Sequence, residues 1–436
     1  MNRICLTGLV LLAFCTAGHA QDTIDSSEVR RIITTLAADD MQGRKTFTPG
    51  IDKAATFIEQ EFQKASLQPW QNAKGFRQSF YMYRIKPVSV QLTINKEPRI
   101  PDNVIVQSTA GQLTWNQEGQ VAEQHVKAGE NFYERIRELR KHKGNTFVWV
   151  DAAQSEAFRQ YRQYLQSSNL MADSANLVLV LQEPADSAIH SVNLEVRQQV
   201  TPLPLFNVVG MIPGSTRPDE YVIFSAHYDH LGIIPAVAQD SIANGADDDA
   251  SGTTAVICLA NYYKHHHPAR TLVFAAFTGE EMGSYGARYF SQQFAPEKVV
   301  AMFNIEMIGK EAKFGKNSAF ITGFERSDFG EILQRNLEGS VFRFHPDPYP
   351  EQQLFFRSDN ATLARLGVPA HTISTDQIDV DSLYHTVNDE VESLDIRNIT
   401  NTIEAIAKSA VSIVDGKDTP TRIQPESLAP GSAKKP

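Results

Sequence analysis

A chain of 436 residues, 42% hydrophobic and 21% charged, has the composition of an ordinary globular protein. It is longer than one average domain requires, so a large core with room for an insertion is expected. The formal charge of −10 argues against nucleic acid or an anionic membrane as a partner.

Residues 1–20 read as a secretory leader. Arg3 precedes an apolar run from Ile4 to Phe14, and small residues close on Ala17-Gly18-His19-Ala20 before Gln21-Asp22. The run is well short of the ~20 residues that span a bilayer. A soluble product, secreted or periplasmic, is therefore expected, with no membrane partner after cleavage. Cys5 and Cys15 would leave with the leader, so only Cys258 remains and no intrachain disulfide is available. Burial must then stabilise the fold, helped by any metal that binds the native state and not the unfolded one.

Residues 21–87 open the main domain. Helices are expected over 27–68: in the second, Thr48 stands at the cap, Pro49 suits the first turn, and Ile51, Ala55, Ile58 and Phe62 share one face. Residues 88–200 read as a β-leaning insertion. They show alternation over Val88-Ser89-Val90-Gln91-Leu92-Thr93-Ile94 and buried-strand runs at Thr146–Val150 and Leu177–Leu181. Over 201–416 the pattern changes. Tyr221–Ala226, Gly252–Tyr263, Thr271–Phe277, Ser284–Phe294 and Val299–Ile305 alternate apolar runs with helical segments. This predicts an α/β fold: a three-layer, mostly parallel sheet flanked by helices, with ligands beyond the carboxyl ends of its strands. Residues 417–436, rich in Pro, Ser and Lys, are expected to form a disordered tail.

Five clusters carry chemistry. His227-Tyr228-Asp229 ends an apolar strand, where period two lets Asp229 orient an imidazole whose other nitrogen meets a metal. Asp247-Asp248-Asp249 opens a helix through Ala250-Ser251-Gly252; three adjacent carboxylates repel one another and call for cations or donors. Glu280-Glu281 follows the strand Leu272–Ala276, and neighbouring glutamates can divide metal binding from proton transfer. Glu306 closes another strand, and His385, in Tyr384-His385-Thr386, offers the neutral imidazole that zinc prefers. Each cluster alone has an ordinary structural explanation, but five together are hard to obtain without a metal. His265-His266-His267 reads as a solvated helix end. No Gly-x-Ser-x-Gly elbow, phosphate-cradling loop or His-Glu-x-x-His occurs.

In their order, His227-x-Asp229, Ala246-Asp-Asp-Asp-Ala-Ser-Gly252, Glu280-Glu281-x-Gly283-Ser284, Asn304-x-Glu306-Met-Ile-Gly309 and Tyr384-His385-Thr386 resemble the M28 family of zinc peptidases. That family includes secreted bacterial aminopeptidases, glutamate carboxypeptidases and related glutaminyl cyclases. The resemblance is close over residues 205–414. It is looser over 27–80, through Asp40-Met41-Gln42-Gly43-Arg44, and the insertion at 88–200 stands where some relatives carry a protease-associated domain.

The resemblance implies a zinc exopeptidase fold with two Zn2+ per chain, bridged by Asp248. His227 and Glu306 would complete one site, Glu281 and His385 the other, with Asp229 and Asp249 supporting the ligands. Glu280 would be the general base for a metal-activated water and Tyr384 a hydrogen-bond donor to the developing oxyanion. The implied activity is removal of N-terminal residues from peptides. Single-zinc glutaminyl cyclase and carboxypeptidase are the alternatives, and a catalytically dead binding domain stands as a third. Most aminopeptidase relatives have aspartate at position 306, and the extra methylene of Glu306 moves its carboxylate by about 1.5 Å.

Overall fold

The computed structural model describes residues 23–171, 175–181 and 188–424. The leader expected over 1–20 and residues 425–436 of the expected tail lie outside the described residues. Among those described, no helix is long and apolar enough to cross a membrane.

The centre of the molecule is a mixed sheet. Along its main path run Arg343–Pro346, Ser318–Ile321, Ala370–Ser374, Val299–Ile305, Arg217–His227, Arg270–Phe277, Ser191–Ile212 and Arg77–Ile94. Parallel pairing holds through its middle: Arg217–His227 lies between Arg270–Phe277 and Val299–Ile305, and the latter also pairs with Ala370–Ser374. Antiparallel strands flank this block on both sides, through Ser191–Ile212 and Ser318–Ile321.

The central strands are mostly apolar over their buried stretches because both faces are covered. Phe224, Phe274 and Phe303 point to one face and pack with helices Gly252–Tyr263 and Ile396–Ser409 and the first two helices of the chain. Their neighbours Ile223, Val273 and Met302 point to the other, beneath Tyr285–Ser291 and the segment around Leu363. Period two in the strands thus produces three layers.

The first helix, Ser26–Leu36, is capped by Asp25, whose Oδ1 accepts from the Ser27 amide at 2.8 Å. The second, Pro49–Lys64, buries Ile51, Ala55, Ile58 and Phe62. Thr48 occupies its cap position, yet its hydroxyl donates to the Lys45 carbonyl at 2.6 Å and caps nothing.

Residues 88–200 contain the strands Val104–Gln107, Glu123–Val126, Gly144–Val150 and Ala175–Leu181 in a sheet of their own. Helices Phe132–Leu139 and Ser155–Ser167 cover it. Boundaries at 88 and 200 fall inside elements. Arg77–Ile94 and Ser191–Ile212 pair without a break from Arg77↔Val208 to Ile94↔Val192, with one bulge at Arg197/Gln198. The insertion therefore grows from the main sheet along a continuous two-stranded ribbon.

Residues 417–424 of the expected tail are held on the core. Ile423 is buried. Arg422 donates to the carbonyl of Val299 at 2.8 Å, and the buried Arg270 reaches the carbonyl of Asp418 and the hydroxyl of Thr419. Composition concealed this, since a single isoleucine and two arginines suffice to hold the segment on the core.

Candidate metal centre

Three adjacent parallel strands deliver the first groups. His227 is the last residue of Arg217–His227, Glu280 and Glu281 follow Arg270–Phe277, and Glu306 follows Val299–Ile305. Asp248 projects from a wide helical turn over Ala246–Ser251 that leads into Gly252–Tyr263, and its peptide bond to Asp249 is cis. His385 and Tyr384 arrive on the loop beyond Ala370–Ser374, with their rings stacked at 3.9 Å.

These side chains form two groups sharing Asp248. On one side, His227 Nε2 lies 3.2 Å from Asp248 Oδ1 and 4.0 Å from Glu306 Oε1. On the other, His385 Nε2 lies 3.1 Å from Asp248 Oδ2 and 3.3 Å from Glu281 Oε2. His230 adds a further imidazole, its Nδ1 2.9 Å from Glu281 Oε1 and 3.7 Å from Asp248 Oδ2. The sequence reading gave this histidine no role; its place three residues after His227, just past the strand end, was the available signal.

Zinc bonds of ~2.0–2.2 Å in a tetrahedron set neighbouring donor atoms about 3.4 Å apart. The observed separations of 2.9 to 4.0 Å bracket that value. His227 Nε2, His230 Nδ1, Glu281 Oε1 and Glu306 Oε2 are buried and make no hydrogen bond of regular geometry, His230 Nδ1 and Glu281 Oε1 facing each other. Buried polar atoms left this way are costly unless a cation meets them, so the donor set fits a pair of zinc ions.

The electrostatics agree. Burial, with Glu306, Asp359 and Glu281 close by, pushes the Glu280 carboxyl well above the ordinary glutamate value. Burial likewise raises Asp359 to about 8. Asp248 is held well below the usual range despite burial, because His230, His227 and His385 surround it. Burial and the same acids push the Tyr384 phenol upward, keeping it a neutral donor.

Of the three adjacent aspartates only the middle one faces the cluster. Asp249 accepts from the amides of Gly252 at 3.0 Å, Met307 at 3.1 Å and His227 at 3.2 Å, tying two strand ends to the start of the helix. Asp247 accepts from the Gly309 amide at 2.7 Å and the Ser251 hydroxyl at 3.2 Å. Asp389, which sequence reasoning passed over, accepts from the amides of Asp247 and Asp248 at 2.9 and 3.0 Å. Asp229 behaves differently from expectation. Its carbonyl is the nearer partner of His227 Nδ1 at 3.1 Å, against 3.8 Å for its carboxylate, which instead accepts from the Glu280 amide at 3.1 Å.

Beside Glu306 opens a pocket of about 480 Å³, mouth included, bounded by Met307, Phe320, Leu354, Ile378, Tyr384 and Arg357. A mixed α/β sheet with paired acid and imidazole groups at its strand ends is an arrangement able to hold metal ions. Residues 207–410 match the model of peptidase family M28, and this part of the chain belongs to that family. A probable zinc metalloprotease from Pyrenophora teres is 38% identical over 112 residues, 25% of this chain and 24% of the relative. Another from Pyricularia oryzae is 36% identical over 110 residues, 25% of this chain and 22% of the relative. The chain thus aligns with about a quarter of the length of these curated relatives.

Among solved structures, a zinc aminopeptidase from Bacillus subtilis superposes with a TM-score of 0.54 at 14% identity, over 91% of this chain and 97% of that one. An aminopeptidase from an Aneurinibacillus strain gives 0.52 at 16% identity, over 94% and 97%. These two share the fold.

Proposed function

We propose that this chain is an exported, two-zinc exopeptidase that releases N-terminal residues from peptides. The observation that carries the reading is the convergence on Asp248 of His227, Glu306, Glu281 and His385, several of whose buried donor atoms make no regular hydrogen bond within the protein. His227, Asp248 and Glu306 would hold one ion and Asp248, Glu281 and His385 the other, with His230 beside Glu281. Zinc there supplies Lewis acidity and a water made nucleophilic at neutral pH.

The residues of the chain supply the rest. Glu280, partly buried at the rim of the cluster, takes the proton of the attacking water on its carboxylate. It then gives that proton to the nitrogen of the leaving amine as the C–N bond breaks. Tyr384, neutral and lining the pocket, donates its hydroxyl proton in a hydrogen bond to the carbonyl oxygen as charge develops on it. The excess of acids favours a substrate ammonium near the reacting bond, aligning the first peptide bond for attack.

One observation favours a second reading. Arg357 lines the same pocket, and a guanidinium is the natural partner of a free carboxylate, as in a carboxypeptidase. One assay tests both: peptides with free termini, with an acetylated N-terminus and with an amidated C-terminus, each with and without a chelator. The aminopeptidase reading requires chelator-sensitive release that acetylation abolishes and amidation does not. Loss on amidation alone would establish the carboxypeptidase, and no hydrolysis under any condition would reject both.

A further inference from the structure

Arg44 lies outside the segment that matches the family model and is fully buried. It follows Gln42 and Gly43, and all three residues have positive φ, at 53°, 61° and 48°. This tight turn fits between the two loops that bring His227 and Asp248 to the cluster. A Cβ on Gly43 would stand 2.4 Å from the carbonyl oxygen of Ala243 and 2.7 Å from the Cα of Gly232, so only glycine allows the approach.

Among the described residues the guanidinium has no carboxylate within salt-bridge reach, and it spends its donors on main-chain carbonyls. Nε donates to Tyr228 at 2.8 Å, Nη1 to Leu36 at 2.9 Å and also to Asn244, and Nη2 to Gly245 at 2.9 Å. Its own carbonyl accepts from the His230 amide at 3.4 Å. Tyr228 lies between His227 and Asp229, while Asn244 and Gly245 lead into the turn that presents Asp248. Leu36 is the last residue of the first helix. One rigid fork therefore links the N-terminal helix to both loops. A planar guanidinium can do this where a flexible point charge cannot.

The same group carries the compensating charge. Burial disfavours its cationic form, but Asp389, Asp248, Asp229 and Asp249 surround it and favour that form. A buried cation without a paired carboxylate is tolerated where the field of several acids replaces the partner.

We propose that Arg44 is a positioning residue of the metal centre, its guanidinium setting the separation of the His227 and Asp248 loops and so the geometry of the two ion sites. The proposal rests on the two-zinc reading above and is tested by a signal that does not need turnover. Wild type, Arg44→Lys and Arg44→Met, each as the full chain, are loaded with Co2+ in place of zinc. Visible absorption, metal content, thermal unfolding and kinetics are then compared. Arg44→Lys retains charge but not the fork. It is expected to unfold cooperatively, to show altered Co2+ bands, and to lose kcat by the ~10–100-fold typical of residues that orient metal ligands, with KM nearly unchanged. Arg44→Met is expected to weaken Co2+ binding further. Unaltered bands and kcat in Arg44→Lys overturn the proposal, as does a fall in unfolding temperature with the spectrum preserved. If Arg44→Met does not fold, Arg44→Lys decides. Failure of both to fold also overturns it, leaving a purely structural role. A wild-type protein that binds two Co2+ but hydrolyses nothing would reject the peptidase reading and leave this one standing.

Discussion

Glu306→Asp reverses the departure from the aspartate usual in aminopeptidase relatives, and the geometry predicts that it harms this protein. Glu306 Oε1 is 4.0 Å from His227 Nε2. Two zinc bonds of about 2.1 Å span at most about 4.2 Å, so the wild-type pair can share an ion after a small closing movement. Removing one methylene withdraws the carboxylate by about 1.5 Å, to a separation near 5.5 Å that no single ion bridges. The backbone cannot readily follow. The Glu306 amide donates to the Ile373 carbonyl at 3.1 Å, and the next amide, Met307, donates to Asp249 Oδ1 at 3.1 Å. Losing a direct ligand should cost at least the ~10–100-fold in affinity that supporting residues cost, or about 1.4–2.7 kcal/mol. Zinc content is read by elemental analysis after dialysis against buffers of fixed free zinc. Wild type is expected to hold two ions per chain where Glu306→Asp holds one, with the Glu281 side still filled. Two ions in Glu306→Asp at wild-type affinity would show that the backbone does adapt and that the distance argument is wrong.

Glu280→Gln should keep its zinc and lose ~10²–10⁴-fold in kcat; a rate within about threefold of wild type would refute the general-base role. His385→Gln should empty the Glu281 side, since its Nε2 approaches both acids at 3.1 and 3.3 Å. His230→Gln should weaken that side only ~10–100-fold, and equal losses in the two variants would make His230 a full ligand. His371, fully buried, has its pKa lowered by burial to about 4 from an ordinary 6.5. As pH falls through 6.5 the unfolded chain binds a proton that the folded one refuses until about 4. Stability contributed by the neutral ring is therefore complete above 6.5 and lost across that window, by up to about 3 kcal/mol. Denaturant titrations of wild type and His371→Gln should show a steeper acid slope in wild type, and parallel slopes would refute the linkage. Ile423→Ala should cost about 2–5 kcal/mol by thermal unfolding, because Ile423 is buried; a change under about 0.5 kcal/mol would mean that the segment detaches freely.

The elements that position the site were legible because their signals are local. Short apolar runs with acids or histidines at their ends announced the parallel strands and the face of the sheet that carries the chemistry. Helix Pro49–Lys64 showed its buried stripe at the 3.6-residue period. What could not be read were relations between distant segments. The ribbon joining the insertion to the main sheet pairs Arg77 with Val208 across more than a hundred residues, and period two alone does not name a partner strand. The role of Asp389 depends on amides more than 140 positions away. Asp229 shows a subtler failure: alternation placed it near His227, but not which of its oxygens would face the ring.

The acids of the centre divide by what satisfies them, a distinction their residue types do not reveal. Asp229, Asp247, Asp249 and Asp389 each accept from at least one main-chain amide, and such donors stabilise a buried carboxylate without any ion. At least one oxygen of each is therefore committed to holding loops together, while Asp229 Oδ2 and Asp247 Oδ2 accept no hydrogen bond. Glu281 and Glu306 each retain a buried oxygen without a regular hydrogen bond, that of Glu281 facing the His230 ring, and Asp248 faces only imidazoles. On the two-zinc reading proposed above, two dications would supply more positive charge than these three carboxylates require. That surplus would lower the cost of keeping Glu280 ionised, against the burial that raises its pKa. On that reading the amide-bound acids fix the backbone, and Glu280 would act as a base only with the ions in place.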